Sequence, residues 1–271
     1  LGITPQQLDE TEPFASYGLD SVQAVQVTAD LEDWLGRKLD PTLAYDYPTI
    51  RTLAQFLVQG NQALEKIPQV PKIQGKEIAV VGLSCRFPQA DNPEAFWELL
   101  RNGKDGVRPL KTRWATGEWG GFLEDIDQFE PQFFGISPRE AEQMDPQQRL
   151  LLEVTWEALE RANIPAESLR HSQTGVFVGI SNSDYAQLQV RENNPINPYM
   201  GTGNAHSIAA NRLSYFLDLR GVSLSIDTAC SSSLVAVHLA CQSLINGESE
   251  LAIAAGVNLI LTPDVTQTFT Q

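Results

Sequence analysis

A segment of irregular sequence, GNQALEKIPQVPKIQG at residues 60–75, divides the chain into two parts. It contains two prolines and two glycines, and its apolar residues follow neither the helical nor the strand period, which is typical of a tether between domains. We therefore expect a small domain at residues 1–58, a linker at 59–75 and a larger domain at 76–271. A chain of 271 residues is long enough for this arrangement, since domains usually hold roughly 100 to 200 residues.

The part before the linker carries the period of amphipathic helices. Apolar residues recur there at intervals of three or four positions in two groups, Ala24, Val27, Leu31 and Leu35, then Ile50, Leu53, Phe56 and Leu57. This spacing places each group on one face of a helix. We predict that the first part is all helical.

The part after the linker alternates between two patterns. The predicted strands are residues 78–83, 175–180, 222–226 and 251–261, and the predicted helices include 91–100 and 146–161. Short β-rich runs that alternate with helical patterns are typical of an α/β domain with crossover connections.

The charge of the chain excludes one class of partner. The formal net charge is −15, whereas a nucleic-acid partner requires a basic face that displaces counterions from phosphates. Residues 1–60 hold nine carboxylates against three basic side chains, so the first part favours a basic protein partner.

The cysteines and the apolar runs indicate the cellular compartment of the protein. The three cysteines are odd in number and form no CxxC pair, so the sequence indicates neither a disulfide framework nor a metal site. The longest apolar run, at residues 251–261, is shorter than the roughly 20 residues that span a bilayer. We expect a protein of the reducing cytoplasm with no membrane association.

Ser21 is the first candidate site residue. Asp20 is a good cap for a helix that starts at Ser21, and Gln23 resembles the distal residue of a capping box. A hydroxyl at a helix N-terminus suits the attachment of a phosphodiester, because the free N–H groups and the positive dipole end favour a negative group. An isolated Asp-Ser pair is nevertheless more often an ordinary first turn.

Cys230 is the second candidate. The run VSLSIDTACSSSLVAVHLACQSL predicts a buried strand, a tight turn and a helix, with Cys230 at the turn. The positive end of a helix dipole favours the thiolate form of a cysteine, which is the nucleophile. A thiol accepts an acyl group from a thioester with little change in bond energy, so transfer is its natural use. A lone cysteine is more often a small buried residue.

The first part resembles an acyl or peptidyl carrier protein. The resemblance lies in FASYGLDSVQAVQVTADLEDWLG followed by YDYPTIRTLAQFL, and it covers residues 1–58. It implies that Ser21 carries 4′-phosphopantetheine, attached by a phosphopantetheinyl transferase, and that Glu32 and Asp33 lie on the helix that meets basic partner enzymes; an ordinary solvated helix face remains an equal alternative for each. The first helix of the family is expected to precede Leu1, which makes this a partial all-α carrier bundle.

The second part resembles the ketosynthase of modular type I polyketide synthases. The resemblance lies in KEIAVVGLSCRFP, the run GGFLEDIDQFEPQFFGISPREAEQMDPQQRLLLEVTWEALE, TGVFVGI, SIAANRLSYFLDLRG and DTACSSSLVAVHLA. It implies the N-terminal portion of an α/β thiolase-like fold, a homodimer, and Cys230 as the acylated nucleophile. The two catalytic histidines of the family, which support decarboxylation of the extender, are expected after Gln271, since His171, His206 and His238 do not match them.

The hypothesis that follows is an acyltransferase of the β-ketoacyl synthase type within a larger synthase. An acyl thioester on phosphopantetheinyl Ser21 is presented to a ketosynthase Cys230 for decarboxylative Claisen condensation, in polyketide or fatty-acid-like chain elongation. We expect the chain alone not to condense. Two alternatives stay open: a carrier and docking module without catalysis of its own, and a cysteine hydrolase, for which the chain offers no matching histidine.

Overall fold

The computed structural model describes residues 8–19, 21–59, 77–109, 119–192 and 196–269. The chain forms two units, Leu1–Gln74 and Gly75–Gln271. The predicted linker at 59–75 falls almost wholly outside the described residues.

The described part of the first unit is helical. After a 3-10 turn at Phe14–Tyr17 it contains α1 (Ser21–Leu35), α2 (Leu43–Asp46) and α3 (Ile50–Gln59). These helices share a small core, whose most buried members are Leu43, Tyr47 and Leu53. The rings of Tyr47 and Phe56 stack with their centroids 4.3 Å apart. The two helices predicted from the apolar spacing are therefore present as α1 and α3.

The described part of the second unit alternates helices and strands. Its elements in chain order are α4 (Pro93–Arg101), β1 (Arg108–Pro109), β2 (Trp119–Gly120), α5 (Pro138–Ala141), α6 (Pro146–Arg161), β3 (Gly175–Gly179), α7 (Asp184–Arg191), α8 (Pro198–Asn204), α9 (His206–Phe216), β4 (Ser223–Ile226), α10 (Ser232–Asn246), β5 (Ala252–Gly256) and α11 (Asp264–Phe269). None of the helices described in either unit combines the length and the apolar character needed to cross a bilayer.

Local sequence explains where several helices begin. In α4, α6 and α8 the first helical residue is a proline, and the residue before it is Asn92, Asp145 or Asn197. Each of these side chains accepts a hydrogen bond from a backbone N–H of the first turn. Proline suits the first helical position because it lacks an N–H group that would otherwise be unpaired, and Asn or Asp pairs one of the remaining groups.

A parallel sheet organises the second unit. The strand order is β4-β3-β5, and β3 pairs in parallel with both neighbours, so Gly179 lies beside Ile226 on one side and beside Gly256 on the other. All three strands therefore end at the same edge of the sheet. Every residue of β3 is buried, as expected for a central strand with helices on both faces.

The two faces of the sheet have separate cores. Val176 and Val178 belong to the larger core, which also includes residues of α6 and α9 such as Leu152 and Leu213. Phe177 points to the other face and packs with Ala236 of α10. The alternation of side chains along β3 thus produces three layers, with α6 and α9 on one side of the sheet and α10 on the other.

Two of the predicted strands differ from the structure. Residues 78–83 form no strand, and the described residues include no neighbouring strand for them. The end of this segment is instead held to α6, where Ser84 Oγ and Arg86 Nη1 donate to Glu157 Oε2 at 2.6 and 2.7 Å. The strand predicted at 251–261 is limited to β5, because residues after Gly256 turn to contact other loops.

Candidate active site

The turn that follows β4 presents Cys230. The strand ends at Ile226, residues Ala229–Ser231 form one 3-10 turn, and α10 begins at Ser232. Cys230 is exposed in this turn. The predicted order of strand, turn and helix is confirmed, and it brings the thiol to the edge where the parallel strands end. The prediction that the strand is buried is wrong, because β4 pairs on one side only among the described residues and none of its residues is buried.

The residue before Cys230 has an unusual backbone conformation. Ala229 has a φ of +53°, in the left-handed region that residues other than glycine rarely adopt. Its N–H donates to Asp227 Oδ1 at 3.0 Å. The Ser232 hydroxyl accepts from the Thr228 N–H at 2.9 Å and donates to the Ala229 carbonyl at 2.7 Å. These side chains hold the turn in a shape that its backbone alone disfavours.

Two glycines let the start of α10 approach the sheet. A Cβ added to Gly179 would lie 2.6 Å from the backbone nitrogen of Ser233, and one added to Gly256 would lie 2.5 Å from the Ser233 Cβ. Distances below 3 Å are essentially never found for real Cβ atoms. The first turn of α10 therefore rests directly on the ends of β3 and β5, and only glycine fits beneath it.

A buried amide joins the loops at this edge of the sheet. Gln147, at the start of α6, is 1% exposed. Its Nε2 donates to the Asn182 carbonyl at 3.0 Å, and its Oε1 accepts from the Leu259 N–H at 3.2 Å. Asn182 Nδ2 in turn donates to the Leu259 carbonyl at 2.7 Å. The loops after β3 and β5 are thus bonded to each other and to α6.

Two acidic side chains extend these contacts. Asp184 Oδ2 accepts from the N–H groups of Leu261 and Thr262, both at 2.9 Å. Asp145 accepts from the Gln147 N–H at 2.8 Å and from its Nε2 at 3.0 Å. Burial raises the pKa of the Asp145 carboxyl, although the hydrogen bonds from Gln147 oppose this shift.

Sequence reasoning missed this group of polar residues. The signal was present in DPQQ at residues 145–148, because all four residues at this helix start are buried although three of them are polar or charged. A helix start of this composition normally faces solvent.

The histidines occupy three different surroundings. His206 Nε2 lies 3.1 Å from the Asn182 carbonyl, at the same edge of the sheet as Cys230. His171 precedes β3 at the opposite edge, with its Nδ1 3.3 Å from Asp218 Oδ2. His238 is exposed on α10, eight residues after Cys230, which corresponds to about 12 Å along the helix axis.

The candidate residues of the first unit lie on α1. The helix begins at Ser21, as predicted, whereas its proposed cap Asp20 lies outside the described residues. Glu32 accepts from the Leu39 N–H at 2.7 Å and lies 3.8 Å from Lys38 Nζ, so it has partners within its own unit. Asp33 is exposed. Of the two acidic residues, Asp33 is the one open to a partner.

Comparison with protein families identifies both parts. Residues 75–271 match the model of the β-ketoacyl synthase N-terminal domain, and residues 1–57 match the phosphopantetheine attachment site. The chain belongs to the β-ketoacyl synthase family. Because the first part matches a phosphopantetheine attachment site, the cofactor of that part is 4′-phosphopantetheine.

Relatives of this ketosynthase are polyketide synthases that match the chain across both parts. A phenolphthiocerol/phthiocerol polyketide synthase protein of Mycobacterium tuberculosis is 44% identical over 100% of the chain, which corresponds to 16% of that protein. The pikromycin polyketide synthase component PikAII of Streptomyces venezuelae is 43% identical over 96% of the chain and 8% of its own length. The chain therefore spans a small share of these relatives. The predicted resemblance to modular polyketide synthases is confirmed.

Solved ketosynthase structures share the fold of the second unit. The ketosynthase from module 6 of the bacillaene synthase of Bacillus subtilis 168 is 40% identical and superimposes with a TM-score of 0.65, over 71% of this chain and 33% of that one. The oxazolomycin ketosynthase domain OzmH KS7 of Streptomyces albus JA3453 is 39% identical with a TM-score of 0.64, over 72% and 37%. The predicted thiolase-like ketosynthase fold is therefore confirmed for the second unit.

Proposed function

We propose that Cys230 is the nucleophile that accepts an acyl chain from a carrier-bound thioester. The observation that carries the proposal is the exposed thiol in a strained turn at the start of α10. Two features support it: the dipole of a 15-residue helix favours negative charge at its N-terminus, and the sheet edge around the turn is built from loops fixed by hydrogen bonds.

The transfer exchanges one thioester for another. The Cys230 sulfur attacks the acyl carbonyl carbon, a carbon–sulfur bond to Cys230 forms, and the carbon–sulfur bond to the pantetheine sulfur breaks. The proton lost by the Cys230 thiol ends on the released pantetheine thiol. Since the bond formed and the bond broken are of the same kind, the acyl group stays activated for formation of a carbon–carbon bond.

Ser21 is the proposed attachment point of the 4′-phosphopantetheine arm. Its hydroxyl displaces the adenosine bisphosphate part of coenzyme A, in a reaction catalysed by a phosphopantetheinyl transferase. The start of α1 at Ser21 supports this assignment, because a phosphodiester at a helix N-terminus is stabilised by the free N–H groups. We further propose that α1, α2 and α3 are part of an all-α carrier bundle.

We propose that the larger synthase of which this chain is a part catalyses condensation, with a malonyl-type extender that loses carbon dioxide. For the 271-residue chain we propose acylation of Cys230 without condensation. The positions of His171, at the far edge of the sheet, and of His238, eight residues along α10, support this limit. Neither is suited to act on an extender bound beside the thiol. His206 lies at the same edge as Cys230, but its Nε2 contacts the Asn182 carbonyl, and the family resemblance assigns it no catalytic role.

The proposed partners are other domains of the same synthase and a second copy of the chain. Among the described residues β4 is an edge strand, and Leu224 within it and Val222 just before it are 44% and 37% exposed, which supports association through the ketosynthase. All three cysteines are free thiols, which supports the reducing cytoplasm as the compartment.

The attachment site is tested by intact-protein mass. Wild type and Ser21→Ala are incubated with coenzyme A and a broad-specificity phosphopantetheinyl transferase, with Ser16→Ala as an exposed control in the same unit. We expect wild type and Ser16→Ala to gain one phosphopantetheine mass and Ser21→Ala to gain none. Equal modification of Ser21→Ala would refute the assignment.

The acyl acceptor is tested on the phosphopantetheinylated chain. After the arm is loaded with an acyl group, we expect acylated Cys230 in peptide mass spectra, and loss of that signal in Cys230→Ala. Cys85→Ala and Cys241→Ala are matched controls, because both thiols are half-buried. Modification at Ser21 without any acylation at Cys230 would favour a carrier and docking module, and release of free acid would favour a hydrolase.

A further inference from the structure

We propose that Ser232 is a positioning residue whose hydroxyl holds Ala229 in its left-handed conformation and thereby sets the direction of the Cys230 thiol. This inference rests on the proposed role of Cys230 as acyl acceptor. It concerns a residue two positions after the thiol, at the first position of α10.

The hydroxyl of Ser232 bridges the two sides of the strained residue. It accepts from the N–H of Thr228, which precedes Ala229, and donates to the carbonyl of Ala229 itself. Both bonds have ordinary lengths, 2.9 and 2.7 Å. A single oxygen therefore joins the peptide group before Thr228 to the peptide group after Ala229. The distance between these two groups depends on the φ and ψ angles of both residues, so the two bonds restrain the conformation of Ala229.

Burial distinguishes Ser232 from the other polar side chains of the turn. Ser232 is 6% exposed, whereas Asp227, Thr228 and Ser231 are exposed. Water competes for the hydrogen bonds of an exposed side chain, whereas it reaches the hydroxyl of a buried side chain less easily. Among the side-chain bonds of the turn, those of Ser232 are therefore the ones best shielded from water.

The conformation of Ala229 matters because Cys230 follows it directly. If Ala229 relaxed to a φ near −60°, the peptide group between Ala229 and Cys230 would rotate, and the thiol would move with it. Attack on a thioester carbonyl requires the sulfur within a few tenths of an ångström of its productive position, so a rotation of this kind slows acyl transfer.

The experiment compares acylation of Cys230 in five full-length proteins: wild type, Ser232→Ala, Ser233→Ala, Ala229→Gly and the Ala229→Gly/Ser232→Ala double variant. The acyl donor is an acyl-pantetheine thioester, and the second-order rate constant is measured by peptide mass spectrometry. Ser233→Ala is the matched control, because Ser233 is the adjacent exposed serine and its Cβ contact with Gly256 is retained.

We expect Ser232→Ala to lower the rate constant about tenfold or more, while Ser233→Ala stays within about twofold of wild type. Glycine adopts a left-handed φ without a steric cost, so Ala229→Gly should restore the Ser232→Ala variant to within about threefold of wild type. Glycine at a left-handed position also relieves strain and so raises the unfolding free energy, and urea denaturation of all five proteins therefore separates positioning from a general loss of stability.

Three results would overturn the inference. The first is a Ser232→Ala rate equal to that of wild type, and the second is a double variant as slow as Ser232→Ala. The third applies if Ser232→Ala does not fold. Ala229→Val then tests the same point at an exposed position, because a β-branched residue strongly disfavours a left-handed φ. An acylation rate of Ala229→Val equal to that of wild type would exclude the mechanism.

Failure of the proposed function has a different signature. If wild type takes no acyl group at Cys230, the assignment of the acyl acceptor fails. The position of the thiol is then followed by alkylation of Cys230 with iodoacetamide in the same five proteins. A rate that changes in Ser232→Ala and returns in the double variant supports the positioning role, and identical rates in all five refute it.

Discussion

The contact between Gly179 and the first turn of α10 provides the sharpest test of the site. In the Gly179→Ala variant the new methyl group would lie 2.6 Å from the Ser233 nitrogen and 2.7 Å from the Ser232 carbonyl carbon. Both are backbone atoms, so no side chain can rotate away to make room. The start of α10 must move, and Cys230 is attached to it.

The size of the movement follows from the contact distance. Non-bonded atoms of this kind prefer a separation of about 3.5 Å, so the start of α10 or the end of β3 must shift by about 1 Å. Overpacking of this extent typically costs about 1 to 3 kcal/mol of unfolding free energy. A misplacement of about 1 Å at a reacting group can lower a rate by about 100-fold. We therefore expect acylation of Cys230 to fall between about 10-fold and 100-fold.

The assay pairs two measurements on the full-length chain. Acylation of Cys230 by an acyl-pantetheine thioester is followed by peptide mass spectrometry, and stability is followed by urea denaturation. Gly201→Ala is the matched control, because a Cβ at Gly201 meets nothing within 4 Å and alanine is favoured in a helix such as α8. If Gly179→Ala were acylated as fast as wild type, the reasoning that α10 rests on the end of β3 would be refuted.

Further predictions concern three other parts of the chain. Gln147→Leu should lower the unfolding free energy by about 2 kcal/mol in urea denaturation, because the buried Leu259 N–H loses its acceptor; a change below about 0.5 kcal/mol would contradict this. Burial raises the pKa of the Glu157 carboxyl, but hydrogen bonds such as that from Arg86 outweigh burial, and its pKa is lowered overall. The stabilisation that the ionised Glu157 carboxylate provides is therefore present above the ordinary carboxyl pKa of about 4.3, and it is lost as the pH falls through the pKa of the folded state. Glu157→Gln should accordingly lose less unfolding free energy than wild type on acidification below about pH 5. If the unfolding free energies of the two proteins fall in parallel over that pH range, the stabilising role of the ion pair is contradicted. Leu53→Ala, at a 5% exposed position in the first unit, should destabilise that unit by about 2 to 4 kcal/mol, visible as an earlier thermal transition by circular dichroism.

Local sequence patterns were sufficient for the turn that carries Cys230. The run from residue 222 to 246 contains a strand in which apolar residues alternate with serines, a break, and a helix rich in Leu, Val and Ala, and each of these signals lies within a few positions of the next. The same holds for α1 and α3, which follow the apolar spacing. No knowledge of distant contacts was needed for these elements.

Contacts between distant residues could not be predicted in this way. Gln147 and Leu259 are 112 positions apart, and nothing near either residue indicates that the two meet. The prediction of a strand at 78–83 is wrong for the same reason. The local pattern is that of a strand, but a strand also needs a neighbour to pair with, and the described residues include none for this segment. Strand propensity describes a surface suited to a sheet, not the presence of a sheet.

The contacts around Cys230 explain why the residues next to it are small. Gly179 and Gly256 allow the start of α10 to lie against the sheet, so the position of the helix is set from below. Ser232 is small enough to be buried at that start, and its hydroxyl reaches back across Ala229, so the shape of the turn is set from the side. The thiol itself stays exposed, as the proposed acceptor of an acyl group from a long and flexible arm must be. The proposed nucleophile is therefore held by the backbone beneath it, and larger side chains at Gly179, Gly256 or Ser232 would displace the start of α10 and the thiol with it.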